Sequence, residues 1–261
     1  MTLASGTEMP VLGLGVWQMS RGKETEQAVE WALEAGYRLV DTATWYRNER
    51  SVGTALRRSG LPREQVFVTT KLLPTHARAA RELAKSLERL GLGYVDLYLI
   101  HWPLPLRNGR LWRELESLED QGLAREIGVS NFGVDTLERL LRGAHSAPAV
   151  NQVQFSPFHY RSRLLAYCRE HRIAFEAYSP LVRGRGVRDA TVLAVAERVG
   201  RTPAQVLLRW ALQRGAIVIP KSSDRERIRS NARVFDFELD QDEMRELDAL
   251  DRTSGSAGAH R

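Results

Sequence analysis

A short apolar run followed by a helical segment recurs along this chain eight times, and that alternation leaves few folds open. The runs fall at residues 11–16, 37–41, 66–70, 95–100, 124–129, 149–153, 173–178 and 216–219. Between them, segments at 23–35, 49–58, 79–90, 111–121, 134–142, 161–171, 189–199 and 203–213 read as helices. Ala28, Trp31, Ala32 and Ala35 share one helical face, as do Leu83, Leu87 and Leu90. Gly36, Gly91 and Gly122 stand where helices stop, and Pro203 suits a first turn. Parallel strands need a crossover between them, so this order implies a parallel sheet. Eight units in 261 residues predict an α/β fold, a (β/α)8 TIM barrel in which 1–261 form a single domain. Residues 1–10, two short segments about Gly6, read as a hairpin capping the barrel bottom. Two extra helices, 224–232 and 241–250, follow the last strand. The Gly/Ser/Ala-rich stretch 254–261 is expected to be mobile.

In such a barrel the C-terminal ends of the strands face one mouth, where chemistry collects. Three strands here end in ionisable residues. Asp41 closes the second, with Tyr46 one loop turn later. Lys71 closes the third and His101 the fourth. Taken singly, each also reads as structure: a strand cap, a core tyrosine, a surface lysine. Together on one rim they suit proton chemistry on a carbonyl. A phenol with a pKa of about 10 is a weak acid at neutral pH. An ammonium beside Tyr46 would stabilise its phenolate and lower that pKa. A drop of about three units takes about 4 kcal/mol, which a cation at about 4 Å supplies at an effective dielectric of about 20. Asp41 would keep Lys71 charged and aimed. His101 would hydrogen-bond the carbonyl oxygen. Trp17, Trp45 and Trp102 lie at strand ends or in loops and would make an aromatic pocket.

A hydride must come from a cofactor. Gly13-Leu14-Gly15, Gly91-Leu92-Gly93 and Gly184-Arg185-Gly186 all lack the third glycine of a dinucleotide fingerprint. Loops after the late strands offer another grip. Ser130, Asn131 and Gln152 carry groups suited to a carboxamide, and Tyr178 suits stacking on a nicotinamide. Lys221, Arg227 and the start of a helix make a phosphate site.

The chain resembles the aldo-keto reductases, most closely the short bacterial members that include diketogluconate reductases. The resemblance rests on Asp-Thr-Ala-x-x-Tyr at 41–46, Thr-Thr-Lys at 69–71, Ile-His-Trp-Pro at 100–103 and Gly-Val-Ser-Asn-Phe at 128–132. Asn-Gln at 151–152, Tyr-Ser-Pro-Leu at 178–181 and Ile-Pro-Lys-Ser at 219–222 complete it, all in the family's order. It implies an NADPH-dependent reductase of small aldehydes, 2-oxoaldehydes or keto sugars. Tyr46 would be the proton donor, Lys71 and Asp41 its tuners, His101 the orienting group. It implies cofactor contacts from Val16, Trp17, Ser130, Asn131, Gln152, Tyr178, Ser179, Leu181, Arg183, Lys221, Ser222, Arg227 and Asn231. Trp17, Tyr46, His101 and Trp102 would hold the substrate. The 2′-phosphate would fall to Lys221 and Arg227, the adenine to Asn231.

Three places depart from the family. Gln154-Phe155-Ser156-Pro157 replaces the usual Glu-x-His-Pro, Val182 stands for a common glycine, and Asp224 puts an acid beside the phosphate site. Short loops predict an open pocket, and Arg107 or Arg110 would favour anionic substrates. Two rival readings are a non-catalytic NADPH-binding barrel that acts as a sensor or interaction subunit, and a Schiff-base aldolase using Lys71.

Composition excludes other classes. The net charge is +6 and the pI about 9.8, yet no nucleic-acid motif accompanies the arginines. Lysine occurs only at 23, 71, 85 and 221, so Lys71 and Lys221 at strand ends stand out. The single cysteine, Cys168, lies in a helical apolar pattern and permits neither an internal disulfide nor a multi-cysteine metal site. No apolar run is long enough for a membrane span, and the N-terminus lacks a signal-peptide pattern. A cytoplasmic protein without a metal is expected, and the resemblance implies a monomer.

Overall fold

The computed structural model describes residues 1–75, 78–104 and 106–253. The stretch 254–261, expected to be mobile, lies outside them. Eight parallel strands stand in chain order: β1 (Leu14–Gly15), β2 (Leu39–Asp41), β3 (Phe67–Leu72), β4 (Val95–Ile100), β5 (Ala124–Ser130), β6 (Val150–Gln154), β7 (Ala174–Tyr178) and β8 (Ile217–Ile219). Around them run α1 (Lys23–Glu34), α2 (Glu49–Arg58), α3 (Ala79–Leu90), α4 (Asn108–Asp120), α5 (Val134–Leu141), α6 (Ser162–Glu170), α7 (Ala190–Val199), α8 (Pro203–Gln213), α9 (Arg225–Ala232) and α10 (Gln241–Asp248). Closure of the barrel comes from Gly13, whose amide donates to the Val218 carbonyl at 2.9 Å, and from Val218, whose amide donates to Val11 at 2.9 Å. The fold is the expected TIM barrel. None of its described helices is long and apolar enough to cross a membrane.

The elements follow from local chemistry. Thr202 and Gln205 form a capping box around Pro203 at the start of α8, and Asp240 and Glu243 form one at α10. Gly91 ends α3 in the left-handed region, at φ +67°. β1 is shorter than the expected 11–16. Gly13 lies flat against Leu39, where a Cβ would come within 2.4 Å of that side chain. A Cβ on Gly15 would meet the Ile219 carbonyl at 2.9 Å. The two glycines draw β1 close to its neighbours, and Leu12 keeps only an isolated bridge to Val218.

Residues at every second position of a strand face the lumen. A lower layer of Leu39, Phe67, Leu97, Leu99, Val150 and Ile217 is apolar. Leu3 and Met9 of the N-terminal hairpin close it from below, with Thr2 and Glu8 bridged antiparallel. One step higher the same parity gives Asp41, Lys71, Gln152 and Glu176, all buried. Above these, at the mouth, come His101, Ser130 and Tyr178. A second, larger core fills the space between strands and helices.

Candidate active site

The mouth opens into a cavity of about 700 Å³. Its lining runs from Tyr46, His101, Trp45 and Trp102 past Ser130, Asn131, Gln152 and Tyr178 to Lys221, Ser222, Arg227 and Asn231. A shallower hollow of about 720 Å³ near α7 and α9 contains none of these strand-end groups.

Lys71 anchors the floor. Its Nζ donates to both Asp41 carboxylate oxygens, at 2.7 and 2.6 Å, and to the Thr42 carbonyl at 2.8 Å. The Tyr46 hydroxyl lies 3.4 Å away, and the ammonium sits 4.9 Å from the tyrosine ring centre. Burial pushes the Lys71 pKa down, but the Asp41 carboxylate and Tyr46 outweigh it and raise it. A lysine held as ammonium has no lone pair for a carbonyl, which tells against the Schiff-base reading.

Tyr46 corrects one expectation. Lys71 does pull its pKa down, but burial pushes harder and the Asp41 charge cancels part of the pull. The hydroxyl ends at about 12, not below 10. In the free protein Tyr46 is therefore a protonated donor rather than a poised phenolate.

His101 is framed by aromatic rings. Trp102 stacks on it at 6.0 Å and 16°, and Tyr46 and Trp45 meet it edge-on at 5.6 and 6.0 Å. Burial and the Lys71 charge push its pKa down to about 3, so the ring is neutral. Its Nδ1 is buried without a partner. A bare acceptor is tolerated in an interior better than a bare N–H. The proton therefore sits on Nε2, leaving the ring one donor.

The remaining mouth groups are locked together. The Ser130 hydroxyl donates to the Gln152 carbonyl at 2.8 Å. Asn131 Nδ2 donates to the His101 carbonyl at 3.1 Å, and Tyr178 donates to Asn131 Oδ1 at 2.9 Å. Asn131 and Ser179 hold left-handed backbones, at φ +64° and +50°, each turning sharply off a strand end. Trp17 and Arg183 meet across the rim, the guanidinium 4.8 Å from the indole centre. Ser179 and Leu181 also line the cavity.

Several expected contacts lie elsewhere. Val16 is fully buried in the outer core, and its carbonyl accepts from Asn48 at 2.9 Å. Its side chain faces helices rather than the cavity. Arg107 and Arg110 are not among the lining residues, and Arg110 pairs with Glu114 at 3.1 Å. Among the described residues, the arginines on the lining are Arg183 and Arg227. Trp45 is 53% exposed on the cavity wall, as expected of the aromatic pocket.

Two acidic groups join the site that no motif marks. Glu24 lies 3.9 Å from Lys221. Glu176, in the middle of β7, is fully buried and accepts from Gln152 Nε2 at 2.7 Å. Period-two spacing from Tyr178 was the available signal that Glu176 faces the lumen.

The cavity fits a dinucleotide. Amide and hydroxyl groups stand beside the tyrosine floor, an aromatic ring lies next to them, and two cations sit at the far end. A model of the aldo/keto reductase family matches residues 11–252. The glyoxal reductase of Bacillus subtilis is 45% identical, over 96% of this chain and 92% of its own length. The methylglyoxal reductase DkgA of Escherichia coli is 43% identical, over 96% and 92%. Among solved structures, an aldo/keto reductase from Brucella melitensis superposes with a TM-score of 0.92 at 41% identity, covering 96% of this chain and 98% of that one.

Proposed function

We propose that this chain, which belongs to the aldo/keto reductase family, reduces small aldehydes, 2-oxoaldehydes or keto sugars to alcohols at the expense of NADPH. The observation that carries the reading is the Asp41–Lys71–Tyr46 contact at the cavity floor, beside His101.

When bound, NADPH supplies the hydride. The protein's part is to place the carbonyl and deliver a proton. His101 Nε2–H donates to the carbonyl oxygen, which polarises it and fixes its direction. Tyr46 transfers its hydroxyl proton to the same oxygen as the carbon is reduced, and Lys71 stabilises the phenolate left behind. Asp41 keeps Lys71 charged without taking its proton. Ser130, Asn131 and Gln152 are the groups suited to the carboxamide, and Tyr178 to the nicotinamide ring. Lys221 and Arg227 would hold the 2′-phosphate and Asn231 the adenine. Trp17, Trp45 and Trp102 shed water from the carbonyl. Among the described residues no arginine lines the cavity near Tyr46, so the pocket suits neutral carbonyls better than anionic ones.

NADPH oxidation with methylglyoxal, phenylglyoxal, glyceraldehyde and diketogluconate tests the reading. Tyr46→Phe is expected to lose turnover by about 10²–10⁴-fold while still quenching on NADPH. Full turnover in that variant overturns the proton-donor role. Clear NADPH binding with no turnover on any carbonyl would support a sensor.

A further inference from the structure

Glu176 has no part in the chemistry above, yet it is wired to it. One Gln152 amide nitrogen donates to two carboxyl groups, to Asp41 Oδ2 at 2.8 Å and to Glu176 Oε2 at 2.7 Å. Asp41 binds Lys71, and Lys71 reaches Tyr46. Five side chains thus form one continuous line from β7 through β6, β2 and β3 to the proton donor. Glu176 Oε1 is buried and has no partner.

Charge counting fixes the state of this line. Two carboxyls and one ammonium share a buried layer at the cavity floor. Both carboxyls ionised would leave one buried anion uncompensated. Asp41 is the one in direct contact with Lys71, so the proton falls to Glu176. The groups facing Glu176 agree. From β6 it meets the neutral Gln152, from β2 the Asp41 carboxylate, and from β3 the Lys71 ammonium. Its register neighbour on β8, Ile217, brings no charge. Burial and the Asp41 charge raise its pKa to about 8.

We propose that Glu176 is a positioning residue, a proton-carrying carboxyl that holds the Gln152 amide and, through Asp41 and Lys71, governs how readily Tyr46 gives up its proton. Ionised Glu176 adds a negative charge to the layer where Tyr46 must become a phenolate, and opposes that step. This rests on the reductase reading, with Glu176 as the group that limits it in alkali.

The kcat–pH profile with NADPH and methylglyoxal is the first test. In the native enzyme kcat falls above pH 8 by about tenfold per pH unit. Glu176→Gln keeps the acceptor for Gln152 but cannot ionise, and its profile stays flat to at least about one pH unit beyond that break. Glu176→Leu removes the acceptor, frees the amide and weakens NADPH binding about tenfold, and Glu176→Gln restores it. A Glu176→Gln profile with the native alkaline fall overturns the proposal.

Infrared difference spectra between pH 6.5 and 9.5 give a readout independent of turnover and cofactor. Glu119, pushed up to about 7 by burial and the Glu126 charge, is replaced by Gln to remove its signal. A protonated-carboxyl band that disappears on raising the pH supports Glu176 as the proton carrier. Absence of such a band refutes it even where Tyr46→Phe upholds the reductase reading.

Discussion

The Asp224 carboxylate takes the Arg227 amide for itself: Oδ1 accepts from Arg227 N at 2.8 Å and lies 3.7 Å from its guanidinium Nε. The first turn of α9, which would cradle a phosphate, is already served by the chain's own anion. Glu24 opposes Lys221 in the same way. A 2′-phosphate must share both cations with carboxylates. Asp224→Ser keeps a cap and removes the charge. The Kd for NADPH is expected to fall by about three- to tenfold at low salt, and that for NADH to stay the same. Quenching titrations with both nucleotides at two salt concentrations check this. An equal gain for both would disprove it.

Lys71→Met leaves the Asp41 carboxylate buried without its cation. Breaking such a pair costs about 3–5 kcal/mol, so Tm should drop by about 10 °C. The double variant Asp41→Leu/Lys71→Met should recover most of that loss while remaining inactive. Calorimetry on the two variants decides. A double variant no more stable than the single would show that packing, not the orphaned charge, sets the cost.

His101 makes stability depend on acid. Its ring titrates at about 3 in the fold against 6.5 ordinarily. Between those values the unfolded chain binds a proton that the native state refuses. The contribution of His101 is complete above pH 6.5 and is lost as the pH falls towards 3, at up to about 1.4 kcal/mol per pH unit. In His101→Asn that share of the acid slope disappears. Urea unfolding at a series of pH values from 7 down to 4 measures it, and parallel slopes in the two proteins would contradict the buried neutral ring.

Trp102 stacks on His101 and is 43% exposed on the cavity wall. An aromatic substrate held there gains about 0.5–1.5 kcal/mol over an aliphatic one. Trp102→Ala should therefore lower kcat/KM for phenylglyoxal by about two- to tenfold more than for methylglyoxal. Equal losses for the two would place the phenyl group elsewhere.

The strand-end residues were readable because a barrel turns sequence parity into position. Asp41, Lys71 and His101 each end an apolar run, and each projects into the lumen or its mouth, as does Gln152 within β6. What depends on burial was not readable. Lys71 beside Tyr46 follows from the motifs, but only the enclosed floor shows burial overcoming the ammonium's pull. Asp224 was visible as an acid in a basic stretch, not as a cap bonded to the amide of Arg227. Glu176 lies mid-strand between Phe175 and Ala177, two buried apolar residues, where a sequence offers no polar run to mark it. The two-residue β1 was missed because its limits come from how closely Gly13 and Gly15 approach β2 and β8.

The two-layer lumen separates holding the barrel shut from doing chemistry in it. Leu39, Phe67, Leu97, Leu99, Val150 and Ile217 need nothing from the storey above. Asp41, Lys71, Gln152 and Glu176 work against stability, since a cluster of buried ionisable groups is commonly outdone by apolar residues of equal volume. Selection for robustness alone would fill that storey with leucine and methionine and leave a sturdier, inert barrel. Its polar upper storey is thus a cost that only turnover can justify keeping.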